Sequence, residues 1–405
     1  MHIRTWAAAL AIGISAWAVA GAGELSGWIA VEGRGFLNDP LHRGQERDNA
    51  SIAAQPEYYH TWENGSSFTF VPFGRLDSAD ARRTHADIRE LNYLYREDNW
   101  FVRLGVGKVF WGATEFVHLV DIINQTDLIE HIDGEDKLGQ PMLEFSISPS
   151  WGTLDFFILP YFRERTFPGR KGRLRTGRVV DLDNVIYESS SKERNLDVAL
   201  RYSNTFGGAD FGVYVFRGTS REPLLATPDL VPPDLIDPED LDDDKLIPFY
   251  EQINQFGTDV QYASGNWLWK LEAYWRNGYF QDYFAATGGV EYTFFGVGGG
   301  NTDIGVLTEY AFNDRDDGGL TIFQNDLFLG MRLSPNDAAG THLLAGFAQD
   351  LERSENALSV EFTRRFGANW RLTLDAWFFL NTARGSVLDE LRRDDFARLQ
   401  LAYHF

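Results

Sequence analysis

The sequence of 405 residues contains no cysteine, and its net charge is −22. The absence of cysteine excludes disulfides, so the chain must be held by its own core or by a closed hydrogen-bonded architecture. Beyond the first 22 residues no run of about 18 apolar residues occurs, which excludes a membrane-spanning helix from that part. The strong negative charge argues against nucleic acid as a partner.

Catalytic motifs are also absent. The sequence has no Gly-x-Ser-x-Gly, no His-Glu-x-x-His and no P-loop. His118, Glu130 and His131 are the nearest approach to a metal-ligand set, but no second pair has ligand spacing. We therefore expect no enzyme activity, no metal site and no cofactor.

The first 22 residues resemble a secretory signal peptide. A short basic region with Arg4 precedes an apolar run from Trp6 to Ala20, and small residues follow it as a cleavage site. A transmembrane helix is the alternative, but the run is short and its flanks are wrong for an anchor. We therefore expect a mature chain of residues 23–405 that forms a single domain.

Most of the mature chain alternates apolar with polar residues, and the chain is rich in aromatic residues, with 12 Trp, 16 Tyr and 31 Phe. In the segment 266–276, Trp267, Trp269 and Leu271 alternate with Lys270 and Glu272. In a strand each set lies on one face. High aromatic content is typical of the girdles that β-barrels place at membrane interfaces.

We count about eighteen such segments, with sixteen as the alternative, because boundaries read from sequence are imprecise. Their connections alternate between short turns, such as Asn64-Gly65 and Ser264-Gly265, and mostly longer loops, such as 110–141 and 164–194. Short turns on one side and long loops on the other are typical of an outer-membrane barrel. The sequence therefore predicts an all-β, antiparallel, up-and-down barrel with both termini on the short-turn side.

The last segment runs from Phe396 to Phe405, alternates cleanly and ends on an aromatic residue. It resembles the C-terminal signature of bacterial outer-membrane β-barrels, which the insertion machinery reads. With the signal peptide and the whole-chain pattern, the resemblance points to the porin-like superfamily and implies a bacterial outer-membrane location. A secreted β-sandwich or β-helix is the alternative, but a soluble chain of this length normally splits into domains joined by linkers, and no linker is visible.

A barrel of 16 to 18 strands encloses water, so the polar face of each strand is expected to line a lumen. This face carries acids, among them Glu144, Glu272, Glu309 and Asp375. It also carries a set of basic residues that we expect on the lumen wall: Arg103, Arg163, Arg201, Lys270, Arg276, Arg332, Arg371 and Arg398. Charges of opposite sign facing each other across a narrow pore orient dipolar solutes; the alternative is that they only pair with their neighbours.

The stretch 110–141 interrupts the period of two. Phe116, Leu119, Val120 and Ile123 recur at helical spacing, which predicts a short helix whose apolar face packs near Phe101 and Tyr161. The stretch is the third long loop and resembles the inward-folded third loop of general porins; a lid over the rim is the alternative. The resemblance implies a pore constriction formed by Glu115, His118, Asp121, Asp127, Glu130, Asp133, Glu135 and Asp136.

These features predict an outer-membrane channel for passive diffusion of small hydrophilic solutes, with some preference for cations. A substrate-specific channel or exporter for sugars, organic acids or polysaccharide is the main alternative, ahead of a structural or adhesion barrel and a barrel enzyme. The expected partners are outer-membrane lipid and the insertion machinery. Lipopolysaccharide phosphates are a further expected partner, at the arginine-rich loop 163–178. A homotrimer is a further expectation, because porins often trimerise.

Overall fold

The computed structural model describes residues 23–227, 242, 244–315 and 323–405. The expected signal peptide lies outside the described residues. Eighteen long strands form one sheet in which every neighbouring pair is antiparallel. In chain order they are β1 Glu24–Phe36, β2 Asn49–Thr61, β3 Ser67–Asp77, β4 His85–Arg96, β5 Trp100–Gly107, β6 Gln140–Ile147, β7 Thr153–Leu159, β8 Asp197–Phe206, β9 Ala209–Thr219, β10 Gln252–Ser264, β11 Trp267–Asn277, β12 Asp282–Phe294, β13 Asp303–Asn313, β14 Asn325–Ser334, β15 His342–Asp350, β16 Asn356–Phe366, β17 Trp370–Asn381 and β18 Phe396–His404.

The sheet closes on itself because β1 pairs with β18, from Trp28 opposite His404 to Phe36 opposite Phe396. Each strand otherwise pairs with the next in sequence, so the topology is a simple up-and-down barrel. Closure leaves no strand edge unpaired, and this is what lets a sheet cross a bilayer. The prediction of an eighteen-stranded barrel is confirmed.

The alternation places apolar side chains outside and polar ones inside. On β11, Trp269 is 51% exposed on the outer surface, whereas its neighbour Lys270 and the next inward residue Glu272 are buried. Exposed aromatic residues continue around the barrel, for example Phe256 on β10 and Phe294 on β12. An apolar outer belt with aromatic girdles is the surface that lipid requires.

Short turns join the strands at one end, called the turn side here. Between β8 and β9 only Gly207 and Gly208 intervene, with φ of +58° and +85°. A two-residue hairpin needs positive φ at both positions, which glycine adopts without strain. Both ends of the described barrel, residues 24 and 405, lie on this side.

Longer loops join the strands at the other end, called the loop side. The fourth and fifth long loops (residues 160–196 and 220–251) contribute four short strands that pair with each other: Val179–Val180, Ile186–Tyr187, Leu224–Ala226 and Lys245–Tyr250. A short helix, Val387–Glu390, lies in the last loop, and a 3₁₀ turn spans Lys192–Arg194 in the fourth. A second 3₁₀ turn, Val297–Gly299, lies on the turn side between β12 and β13.

The predicted helix around Phe116–Ile123 is wrong. No residue between 108 and 139 is helical, and the only pairing inside the segment is an isolated bridge between Thr126 and Lys137. The reason is that the N–H groups of residues 113–116, 119 and 120 bond to carboxylates of the barrel wall rather than to carbonyls of their own turn. Arg163 also differs from expectation, because β7 ends at Leu159 and Arg163 belongs to the following loop.

Candidate functional site

The third long loop, residues 108–139, runs into the barrel and is called the lumen loop here. Its contacts are with strands on opposite walls, from β3 and β4 to β11 and β14. Val120 and Ile123 have no exposed surface. The loop therefore folds inward, as predicted, and does not form a lid over the rim.

One wall carboxylate holds the first part of the lumen loop. Glu272 Oε1 accepts the N–H groups of Ala113 at 2.7 Å and Thr114 at 3.0 Å, together with the Thr114 hydroxyl at 2.7 Å. Its Oε2 accepts the N–H groups of Leu119 at 2.7 Å and Val120 at 3.2 Å. Five donors satisfy the hydrogen-bonding capacity of this buried carboxylate. Its charge-assisted hydrogen bonds fix the irregular backbone of residues 113–120.

Glu309 on β13 acts in the same way on the next residues. Its oxygens accept the N–H of Glu115 at 2.8 Å and that of Phe116 at 3.1 Å. The Phe116 ring stacks on Phe328 with centroids 5.2 Å apart. It lies beside two facing glycines, Gly330 of β14 and Gly346 of β15, where a Cβ would come within 2.5 to 2.8 Å of the ring. Gly330 and Gly346 therefore form a notch in the far wall, called the glycine notch here, which accepts the Phe116 ring because neither residue has a side chain.

The Glu115 side chain turns back toward the wall. Its Oε2 lies 2.6 Å from Arg332 Nη2 and 3.3 Å from Lys270 Nζ. Glu291 lies next to the same two cations, 3.5 Å from Arg332 and 4.0 Å from Lys270. Two acids and two bases thus form a neutral cluster, and the lumen wall contributes three of the four.

Apolar side chains fill the space between the lumen loop and the wall of β6 to β10. The prediction that the loop packs near Phe101 and Tyr161 is wrong, because its apolar residues diverge to different strands. Leu119 packs against Tyr274 and Tyr283. The remaining core consists of Trp111, Val120, Ile122, Ile123, Met142, Phe157, Leu159, Ala199, Tyr214, Phe216 and Ile253.

Arginines of β3, of β4 and of the loop that joins them hold the second part of the lumen loop. Arg75 donates to both oxygens of Glu130, with its shortest contact at 2.6 Å. Arg89 Nη2 lies 2.6 Å from Asp127 Oδ2, and Arg83 donates to the carbonyl of Ile129 at 2.8 Å. These side chains are buried. Bidentate, charge-assisted contacts of this kind fix orientation as well as position.

The remaining predicted constriction residues differ in their exposure. Asp121 is buried 3.1 Å from Lys137, and His118 packs edge-on against Phe110. His131 Nδ1 lies 2.5 Å from Asp133. Burial of Asp121 raises its pKa, although Lys137 opposes this effect.

Glu135 and Asp136 form the exposed tip of the lumen loop. Neither makes an ion pair with any described residue. The surrounding barrel restricts their solvation and raises the pKa of Glu135 to about 7, and Asp133, Glu361 and Glu115 add to the shift. The pKa of Asp136 is raised by the same restriction and by Asp133. Glu135 and Asp136 are thus two uncompensated carboxyl groups that are exposed to the lumen.

Most of the basic residues predicted on the lumen wall form ion pairs with nearby carboxylates of the protein. Arg371 is the exception, because it has no ion-pair partner among residues 23–227, 242, 244–315 and 323–405. The pairs are Arg103 with Glu144 at 2.9 Å, Arg163 with Asp87 at 2.8 Å, Arg201 with Asp259 at 2.7 Å, Arg276 with Glu222 at 3.8 Å and Arg398 with Asp375 at 2.6 Å.

Sequence reasoning missed Arg75, Arg83 and Arg89 as contacts of the loop. Arg75 lies on the polar face of β3, so the alternation alone could have placed it in the lumen. Val71 and Pro72 of β3 pair with Glu90 and Ile88 of β4, so the pairing skips Arg89, which forms a β-bulge. A bulge changes the side-chain register, and the sequence carries no clear signal for it.

The closed barrel and its apolar belt define a transmembrane β-barrel of the outer-membrane type. In the described part of the chain, no helix is long and apolar enough to cross a membrane. No family model and no curated protein matches the sequence.

Solved structures do match. A BenF-like porin from Pseudomonas fluorescens Pf-5 superposes with a TM-score of 0.53 at 11% identity, covering 95% of this chain and 98% of that one. The outer-membrane protein OmpT of Vibrio cholerae aligns with a TM-score of 0.45 at 9% identity, covering 95% and 100%. The match to the BenF-like porin shows that the chain has the barrel fold of that porin. The closed barrel with its lipid-facing belt places the chain in a bacterial outer membrane.

Proposed function

We propose that the protein is an outer-membrane channel for passive diffusion of small hydrophilic solutes, and that the lumen loop is its constriction. The observation that carries the proposal is the fastening of this loop to opposite walls, by Glu272 on one side and Arg75 on the other. A segment held at both ends across the lumen narrows the path that any solute takes.

The charge of the loop supports a preference for cations. Glu115, Asp127 and Glu130 are compensated by wall cations, so they contribute little net field. Glu135 and Asp136 are exposed and uncompensated. Negative groups that face water in a narrow lumen raise the local concentration of cations.

Planar-bilayer recordings of the refolded protein test the channel itself. We expect stable ohmic steps and, in a salt gradient, a reversal potential with the sign of a cation-preferring pore. Folded protein that inserts without any conductance steps would contradict the proposal.

Deletion of residues 114–136 tests the role of the lumen loop. The deletion removes the Glu272, Glu309 and Glu130 contacts together, so the lumen widens and single-channel conductance rises severalfold. Shortening the turn at residues 295–302 is the matched control, because this turn lies on the opposite side and does not enter the lumen. Equal conductance of the deletion variant and the wild type would show that the loop does not limit flow.

A homotrimer is part of the same proposal, since porin barrels commonly associate. The mass of the detergent-solubilised protein by native mass spectrometry measures it directly. The mass of one chain is 46.0 kDa, less any cleaved leader. A single species of this mass at all protein concentrations would show that the channel is a monomer.

A further inference from the structure

The outer wall of β7 to β11 carries a row of residues set by strand register. Phe156, Leu200, Val215, Phe256 and Trp275 face one another in turn across the five strands. All five are exposed on the lipid side. The row has large rings at its two ends and the shorter Leu200 and Val215 in the middle.

These differences in size produce a groove of about 260 Å³. Phe156 forms one side, and Phe256 with Trp275 forms the other. The next row toward the loop side adds Val198 and Arg217 to its lining. The groove thus runs along the strands and ends at a cation.

Arg217 is unusual for its position. It lies two residues before the end of β9, it faces outward and it is exposed. No carboxylate among the described residues pairs with it. On the loop-side half of the strands, as far as the structure describes them, no other lysine or arginine faces the lipid. An unpaired guanidinium at the height of the lipid headgroups needs an anion from outside the protein.

We propose that this groove holds one anionic lipid of the outer leaflet. The lipid phosphate accepts hydrogen bonds from the Arg217 guanidinium, whose planar fork matches phosphate oxygens. One acyl chain lies on Leu200 and Val215, between Phe156 and the pair Phe256 and Trp275. The position of Arg217 at the loop-side end of the groove matches the arrangement of headgroup and chain in that leaflet.

Native mass spectrometry of the refolded barrel tests the site. The protein is mixed in detergent with lipid A, with phosphatidylglycerol or with phosphatidylcholine of the same chain length, and retained lipids are counted. We expect one retained anionic lipid per barrel and at least a tenfold lower occupancy for phosphatidylcholine. Arg217→Gln should lower anionic-lipid occupancy at least fivefold, and Val215→Trp should do the same by filling the groove while the cation stays.

Arg364→Gln is the matched control, because Arg364 is also on a strand but lies 3.3 Å from Asp337 near the turn side. It should retain lipid like the wild type. Heat-dependent gel mobility confirms that each variant is folded.

Equal occupancy in wild type and Arg217→Gln overturns the proposal. An oligomer that retains no lipid and dissociates on Arg217→Gln also overturns it, because the groove would then be a contact between copies. Inorganic phosphate at millimolar concentration should compete only weakly, and complete displacement by it would exclude a role for the acyl chain.

Discussion

At the scale of single residues, Glu272 combines two properties that rarely occur together. It is an acid with no exposed surface, and no lysine or arginine lies within ion-pair distance of it among the described residues. Backbone N–H groups take the place of a cation. Because four of its five donors are backbone N–H groups and only the Thr114 hydroxyl is a side chain, Glu272 holds the lumen loop mainly through its backbone.

Replacing Glu272 with Gln should loosen the loop at this point. An amide offers one acceptor and two donors, so its nitrogen faces the N–H groups of Leu119 and Val120, which lose their acceptor. Each buried N–H left unpaired costs about 1–3 kcal/mol. We expect larger current fluctuations and a higher mean conductance in planar bilayers.

Asp259→Asn is the matched control, because Asp259 is the cross-strand neighbour of Glu272 but pairs with Arg201. Recordings as quiet as those of the wild type would contradict the anchoring role of Glu272.

Glu135 makes the selectivity depend on pH. Its pKa is raised to about 7, so the side chain is mostly charged at pH 8 and mostly neutral at pH 6. One charge roughly 8 Å from an ion in water changes its energy by about 0.5 kcal/mol. Because the charge attracts cations and repels anions by this same amount, the cation-to-anion permeability ratio should fall roughly fourfold as the pH is lowered from 8 to 6.

Reversal potentials measured at both pH values report this change. Glu135→Gln should keep the lower ratio throughout and show a flatter profile, and the raised pKa of Asp136 accounts for any slope that remains. Glu24→Gln at the turn-side rim should titrate like the wild type. A steep profile that survives Glu135→Gln would assign the titration to another group.

At the scale of elements, the lumen loop shows what sequence reasoning can and cannot reach. Its place in the chain and its length followed from the alternation of turns and loops, and its inward course was implied by its resemblance to the third loop of general porins. Its conformation did not, because the periodicity of Phe116, Leu119 and Val120 suggested a helix. That inference assumes local hydrogen bonds, whereas here the donors bond to Glu272 and Glu309, about 150 to 190 residues away. Non-local competition of this kind leaves no trace in a local pattern.

Phe116→Ala should detach the loop from the glycine notch. The substitution removes the stack on Phe328 and the contacts with Gly330 and Gly346. A loss of about 1.4 kcal/mol or more in local stability raises the open population at least tenfold. We expect a matching rise in the rate of proteolysis within residues 113–120 in detergent. Phe110→Ala is the control, since Phe110 belongs to the same loop but is 61% exposed. Equal cleavage rates in the two variants would count against the notch.

At the scale of the whole molecule, the barrel was predictable because its determinants are repetitive. Eighteen segments share one two-residue period, and closure requires only that β1 and β18 pair. The ion pairs along the lumen wall were not predictable, since the partner of Arg201 or Arg103 depends on the register between nearby strands. An error of one residue in register reverses which face a side chain takes.

The end of the chain completes the closure and supplies the last prediction. Phe405 donates its N–H to the Gly27 carbonyl at 3.1 Å, so the terminal residue is held on β1. One hydrogen bond contributes only about 1 kcal/mol, so a barrel without Phe405 should still refold in detergent with nearly unchanged stability. In cells, by contrast, we expect deletion of Phe405 to lower the amount of folded barrel in the outer membrane several-fold, because the resemblance of the last strand to those of outer-membrane barrels implies that the insertion machinery reads its aromatic end. Heat-dependent gel mobility of refolded protein and of outer-membrane fractions separates the two effects. Deletion of Glu24, which lies on the same turn side but pairs with Tyr59 of β2 and not with β18, is the control and should leave both quantities unchanged. If loss of Phe405 impairs refolding in detergent as much as it lowers the outer-membrane level, the residue stabilises the seam and carries no separate signal.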